Sequence, residues 1–381
     1  MTCRMPFENI EVLPNGQFGV CCISKFRATK VDGSPYVYGQ DSVADVLDSD
    51  SLREFRKQFE REEQPIACSN CWIPERFGNG DSKRQIENKR FAAPVRHIRT
   101  LDIKPGNVCN LKCRICSSYA SSRWISDEIK LSGKSHFPLY DWPERYGFTD
   151  LHQLAENLEY IEISGGEPFM LGTQWEFIEW LKDNNYHRNI HLQYHTNGTL
   201  YSDKWIENLM GFKKVQLSLS IDGIGPQFEY LRHPAEWDTV LDNWHKYKSN
   251  PELSVSISHS INALNVLYIG EFARFAKEME TEVYWNVVEN VMPVESLTST
   301  QLSHLITSLT MTLPTDTSGQ VNPLSPGVNW LYRRWFSTAQ SNVGNANLDL
   351  PILEQISRID QLRNESYAET FPDMHWILTN V

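Results

Sequence analysis

Beyond residue 116 the chain contains no cysteine. All eight, Cys3, Cys21, Cys22, Cys68, Cys71, Cys109, Cys113 and Cys116, crowd into the first part of the 381 residues. Buried structural thiols would be scattered, so this crowding argues for metal binding or redox chemistry. Long hydrophobic runs are also missing. No window approaches the roughly 18–20 apolar residues that span a bilayer, so no membrane segment is expected. The opening MTCRMPFENIEVLPNG has no basic segment followed by an apolar run, so no secretory signal is read and the expected compartment is the cytoplasm. A basic excess is absent as well. The net charge is -12 and the pI near 5.4, which argues against a nucleic-acid backbone as the main partner. There is no internal repeat beyond a β/α alternation and no long low-complexity tract.

What is present is ordinary globular composition, 40% hydrophobic and 22% charged, with 12 tryptophans to fill cores or line a pocket. The length suits one large domain with one or two smaller ones. From about residue 97 to 290, short apolar runs alternate with amphipathic ones. Strands are predicted at 97–104, 159–164, 189–195, 214–220, 253–261 and 282–288. Helical spacing lies between them, as in TQWEFIEWLKDNN (173–185), where Phe177, Ile178 and Leu181 share a face with Trp180 at its edge. DKWIENLM, EWDTVLDNWHKYK and LYIGEFARFAKEM read the same way. The class is therefore α/β, with parallel βαβ units in an open doubly wound sheet or a partial barrel. Both architectures put functional residues at the carboxyl ends of strands.

Residues 1–96 read as a separate, loop-rich, cysteine-rich domain, with turn signals at Pro14-Asn15-Gly16, Asp32-Gly33 and Gly78-Asn79-Gly80-Asp81. Such a segment needs a metal staple to fold. Residues 97–292 form the core domain. Residues 293–381 read as a helical extension, interrupted by a polar, proline-containing linker near 313–328.

CNLKCRIC follows the first core strand, with cysteines spaced Cys-x3-Cys-x2-Cys. A four-iron cubane takes four thiolates, so three from one tight loop leave one iron for a chelating amine and carboxylate. The competing reading is zinc with a fourth ligand from elsewhere, although zinc motifs more often pair cysteines across a longer gap.

These residues resemble the radical SAM superfamily, whose motif is CxxxCxxC, in the flavour CNLKCRICS seen in its SPASM/Twitch branch. A second signature, Ser164-Gly165-Gly166-Glu167-Pro168, ends the next strand. His195-Thr196-Asn197-Gly198 ends the third, and Leu219-Ser220-Ile221-Asp222-Gly223 the fourth, followed by Arg232. Asn265 follows the fifth. The resemblance covers roughly residues 97–290 and implies a partial (β/α)6 TIM-like radical SAM barrel. It implies a [4Fe-4S] cluster on Cys109, Cys113 and Cys116. S-adenosyl-L-methionine (SAM) would then lie near Gly165, Gly166, Glu167, Pro168, Thr196, Asn197, Ser220, Asp222, Arg232 and Asn265. Its amino group would meet Glu167 or a nearby carbonyl, and its carboxylate or ribose Ser220 and Arg232.

Cys3, Gly16, Cys21 and the pair Cys68/Cys71 are similar to the opening of SPASM/Twitch modules, here placed before the barrel instead of after it. This implies a second, auxiliary [4Fe-4S] cluster on Cys3, Cys21, Cys68 and Cys71, with Cys22 either a spare thiol or the true ligand. A four-cysteine zinc knuckle is the alternative. The charged stretch 72–91 reads as a solvated face.

The resemblance further implies reductive cleavage of SAM to a 5′-deoxyadenosyl radical, which abstracts hydrogen from a substrate. The expected reaction is oxidative modification, by crosslink or dehydrogenation, of a ribosomally made peptide. The alternatives are a small-molecule dehydrogenase of the same superfamily and a non-catalytic metal-stabilised binding protein. A flavodoxin or ferredoxin would donate electrons, and a separate protein would recognise a peptide. Trp285, Asn286, Glu289, Tyr194 and His259 are candidates for the pocket lining. No catalytic base is assigned.

Overall fold

In KVQLSLS, Val215, Leu217 and Leu219 alternate with Gln216, Ser218 and Ser220, and the other core strands follow the same period of two. Successive side chains of a strand point to opposite faces, so such strands form a sheet with one apolar and one polar face. The computed structural model, which describes residues 3–76, 82–288, 292–312 and 352–381, has this sheet. Its strands are β1 (Asn9–Val12), β2 (Phe18–Gly19), β3 (Thr100–Ile103), β4 (Tyr160–Ile163), β5 (His191–Thr196), β6 (Lys214–Ser220), β7 (Leu253–Ile261) and β8 (Val283–Val287). Their order is β2-β1-β3-β4-β5-β6-β7-β8.

From β3 onward the strands are parallel and lie in chain order. A doubly wound sheet reverses its order at a switch point; here there is none. Right-handed crossovers then put every connecting helix on the same face, which makes a partial barrel. Helices Thr173–Asp183, Asp203–Leu209, Trp237–Ser249 and Ile269–Glu278 cover that face. Phe177, Ile178, Leu181, Leu209, Val240 and Phe272 are buried there in one core with Leu101, Ile161, Leu192 and Leu217. Each such aliphatic side chain contributes about 2 kcal/mol by leaving water.

The opposite, concave face is polar. Pairing register aligns Glu11, Asp102, Glu162, Gln193, Gln216 and Ser254 in one row across six strands. A barrel whose lumen is packed shut carries branched aliphatics in such rows. This one carries hydrogen-bonding groups.

The six expected core strands are present. The amino-terminal segment differs from its reading as loops: β1 pairs in parallel with β3, and β2 runs antiparallel to β1. The sheet therefore crosses the boundary drawn at residue 96. Residues 83–90 also form a helix whose Lys83 reaches into the concave face, 3.3 Å from Glu162. This replaces the solvated face expected for that stretch.

At the other end, helices Ser299–Thr312, Ile352–Arg363 and Pro372–Asn380 build a second core with Tyr230, Leu231, Ile261 and Leu264. The expected turn at 78–81 and linker near 313–328 lie outside the described residues. Among the described residues, no helix is long and apolar enough to cross a membrane.

Candidate metal and cofactor sites

The loop after β3 must turn sharply to present three thiols, and Asn107 makes that turn. Its fully buried amide donates to Ser118 O (2.7 Å) and Pro138 O (2.9 Å) and accepts from Tyr140 N (2.8 Å). The loop is then sewn to the segment after β6: Lys112 N donates to His233 O and Arg114 N to Leu231 O, both at 2.8 Å. Trp124 Nε1 donates to Cys113 O at 2.8 Å. Cys109 and Cys113 end up buried and Cys116 partly so.

The Gly165-Gly166-Glu167-Pro168 segment packs directly on this loop. Glu167 N donates to Val108 O at 2.8 Å. Gly165 has φ +90°, and a Cβ on Gly166 would lie 2.0 Å from Val108 O, so neither position accommodates a side chain without displacement. Glu167 is fully buried and turned inward. It accepts from Thr196 Oγ1 (2.8 Å), Asn197 N (2.7 Å) and Phe169 N (3.2 Å), fastening the end of β4 to the end of β5. Burial, only partly offset by these bonds, pushes its carboxyl up to about 7. Asn197 continues the seam, its amide donating to Asn110 Oδ1 at 2.8 Å.

On the other side of the loop, Arg232 is buried between Asp222 and Cys113. Nη2 lies 2.7 Å from Asp222 Oδ2, and Nη1 points at Cys113 Sγ from 3.9 Å. Its Nε has no hydrogen-bond partner among the described residues. A hydrogen bond with Cys116 lowers the Cys113 thiol, burial opposes this, and the Arg232 charge lowers it further. Asn265 holds Asp222 O and Ser260 O, both at 3.0 Å. Ser220, partly exposed at the end of β6, is on the concave face. The structure thus gathers the carboxyl-end motifs at one mouth of the barrel. It gives Glu167, Thr196, Asn197 and Asn265 to loop fastening, and leaves Ser220 and Arg232 with uncommitted polar groups.

Cys3, Cys21, Cys68 and Cys71 line one cavity with Ser24, Phe59, Trp72 and Arg84. β2 runs back along β1, with Asn9 Nδ2 donating to Val20 O at 3.0 Å, so Cys21 follows at the amino-terminal end of β1 and this cavity is at the opposite mouth of the sheet from the three-cysteine loop. Cys22 is not part of that lining; its thiol feels Lys83 and Asp102 of the concave face. Burial pushes the Cys3, Cys71 and Cys109 thiols up to about 12. Thiols so disfavoured as free thiolates become good donors when a cationic centre replaces their protons, so both sets fit metal ligation. Among the described residues, no three His, Cys, Asp or Glu side chains converge closely enough to grip one ion. A cubane presents four irons over a wider span.

The concave face between the mouths carries groups that motif reading missed. Lys104 bridges Glu11 and Asp102, and Lys83 bridges Glu162 and Glu87. His195 Nε2 lies 3.0 Å from Glu162 Oε1 and 3.1 Å from Gln193 Nε2. Three expected lining residues, Tyr194, His259 and Trp285, are elsewhere. Tyr194 is buried beside Phe169 under the helices, and His259 packs on Phe272 and Trp285 in the same layer. Each alternates out of the lumen by one residue. Asn286 of β8 pairs with Ser260 of β7, on the same face as Ser254, and so keeps to the concave side, and Glu289 lies outside the described residues.

A model of the radical SAM superfamily matches residues 103–276, and the SPASM model, an iron–sulfur cluster-binding domain, matches residues 3–72. The chain belongs to the radical SAM superfamily, with a SPASM domain on the amino-terminal side of its core. These two domains imply a SAM-binding [4Fe-4S] cluster and an auxiliary iron–sulfur cluster. No curated protein matches the chain. Among solved structures it is similar to native anSMEcpe with bound AdoMet at 18% identity and TM-score 0.43, over 55% of this chain and 59% of that one. It is also similar to Streptococcus suis SuiB bound to S-adenosylmethionine at 15% identity and TM-score 0.40, over 68% of this chain and 52% of that one. The chain thus spans between half and three-fifths of the length of these structures.

Proposed function

We propose that this chain is a radical SAM enzyme that takes hydrogen from a polar substrate held in the lumen of its partial barrel. Its reaction is oxidative modification, by crosslink or dehydrogenation, of a ribosomally made peptide. The observation that carries this reading is one hydrogen-bonded knot that joins the three-cysteine loop, the Gly165-Gly166 segment and Arg232 at the carboxyl mouth of the sheet. The SPASM match at residues 3–72 supports this reading through the resemblance to SPASM/Twitch enzymes, which implies a ribosomally made peptide as substrate.

Cys109, Cys113 and Cys116 would hold the SAM-binding cluster, and Cys3, Cys21, Cys68 and Cys71 the auxiliary one. When bound, the first cluster and SAM together supply a 5′-deoxyadenosyl radical able to take hydrogen from an unactivated carbon. The protein's share is binding, orientation and proton handling. Arg232, aimed by Asp222, would receive the carboxylate of SAM, and Ser220 a ribose hydroxyl. With both Glu167 oxygens already accepting, the backbone carbonyls of the Gly165-Gly166 segment would receive the ammonium group.

In the lumen, His195 Nε2 faces Glu162 Oε1 at 3.0 Å and Gln193 Nε2 at 3.1 Å, and the tautomer in which Nε2 donates to the carboxylate leaves a lone pair on Nδ1. Nδ1 accepts the proton that an O–H, N–H or S–H of the substrate gives up when the adjoining carbon is oxidised. The remaining substrate electron would pass to the auxiliary cluster, and a low-potential flavodoxin or ferredoxin would supply the electron for SAM cleavage.

The test is anaerobic reconstitution. About eight irons per chain are expected for two cubanes, with reductant-dependent release of 5′-deoxyadenosine from SAM that Cys113→Ala abolishes. Zinc in place of iron, or release unaffected by Cys113→Ala, overturns the reading in favour of a metal-stabilised binding protein.

A further inference from the structure

Arg114 stands between two of the three cysteines that would hold the cluster, and its side chain is fully buried. A buried guanidinium is tolerated only when its charge and donors are met. Nε donates to Tyr230 O at 3.3 Å, Nη1 has no partner among the described residues, and the charged partners come from the far end of the chain. Nη2 donates to Asp360 Oδ1 at 2.6 Å and also to Glu365 Oε2. The guanidinium lies over the Tyr230 ring at 3.6 Å, and Tyr230 OH donates to the same Asp360 oxygen at 2.8 Å.

Glu365 then reaches the segment that carries Arg232: its Oε1 is 2.5 Å from His233 Nδ1. A second link runs in parallel. Lys112 Nζ donates to Asp127 at 2.9 Å, and Arg363 Nε donates to the other Asp127 oxygen at 3.2 Å. Underneath, Ile356, Ile359, Tyr367 and Phe371 share the apolar core that contains Leu231 and Leu264.

We infer that residues 352–381 are part of the cofactor site, with Asp360 and Glu365 acting through Arg114 as positioning residues that hold the cysteine loop in register with Arg232 and balance the charge beside the cluster. This rests on the reading of Cys109, Cys113 and Cys116 as cluster ligands. Two consequences follow, one geometric and one electrostatic. Without the carboxylates the loop and the Arg232 segment keep their backbone bonds but lose this side-chain anchor, and an unbalanced positive charge remains in the loop that carries the thiols. Net charge near a cluster sets its potential, and a positive charge favours the reduced, more negative state.

The experiment uses full-length reconstituted holoenzyme with SAM itself as the probe. Wild type, Asp360→Asn/Glu365→Gln and Arg114→Gln are compared by iron content, melting temperature and EPR-monitored potentiometry, with and without SAM. The expected midpoint of the SAM-responsive signal moves to less negative values in Asp360→Asn/Glu365→Gln and to more negative values in Arg114→Gln. In both, SAM affinity read from the EPR change falls at least ~10-fold. Glu365→Gln alone, which keeps the Arg114–Asp360 pair, gives a smaller shift of the first sign and covers the case in which the double variant misfolds. Same-direction shifts, or potentials and SAM responses equal to wild type in Glu365→Gln and Arg114→Gln, overturn the inference. A wild-type protein with no SAM-responsive cluster sinks the cofactor reading and this inference with it.

Discussion

Replacing Gly166 by alanine separates a designed close approach from an incidental one. The added Cβ would be 2.0 Å from Val108 O, 2.7 Å from Val108 C and 3.0 Å from Asn107 C. A carbon and a carbonyl oxygen rest at about 3.3 Å, so two backbones must part by roughly 1.3 Å. Neither is the flexible end of a side chain. Overpacking of this kind costs about 1–3 kcal/mol, and parting the strands also breaks the Glu167 N to Val108 O bond of 2.8 Å, worth about 1 kcal/mol. The sum, about 2–4 kcal/mol, is expected to lower the melting temperature by roughly 3–5 °C for a chain of this length. Holding the loops together for cofactor restores that strain, so SAM binding is expected to weaken at least ~10-fold. Gly172→Ala is the control: its Cβ meets nothing within 4 Å and its φ is -68°, so a change within about 0.5 kcal/mol is expected. Anaerobic scanning calorimetry and SAM titration read both. Gly166→Ala with wild-type melting and affinity refutes the argument that these two loops must touch.

Cys21→Ser is expected to remove about four irons per chain and Cys22→Ser none, measured by iron and sulfide analysis; the reverse pattern would make Cys22 the ligand. Diethyl pyrocarbonate is expected to modify His195, whose side chain is 26% exposed, well before His259, which is 1% exposed. Peptide mass spectrometry of the anaerobic holoenzyme reads this, and equal modification would refute the assignment of the two histidines to opposite faces.

The core strands were legible because β-branched and aliphatic residues recur at period two in KVQLSLS and LSVSISHSI. The same alternation marks the polar lumen, since Gln193 and His195 occupy the off-beats of HLQYHT. β1 and β2 were not legible. They are four and two residues long, and β1 finds its partner some 90 residues later, so nothing local announces it. Tyr194 and His259 were read as lining for want of register: adjacent residues of a strand face opposite ways. Glu167 has the chemistry of a ligand acceptor, and only the fold shows both its oxygens spent on β5. The Arg114 pairs, 246 and 251 positions apart, leave no trace in any window of sequence.

The placement of those pairs has a consequence for biosynthesis. All four thiols around the auxiliary cavity have been synthesised once residue 71 is translated, whereas Arg114 waits for residues 360 and 365. On the proposed ligand assignment the auxiliary site has its thiols early, and the loop proposed to hold the other cluster gains its carboxylate anchor only when the last helices are made.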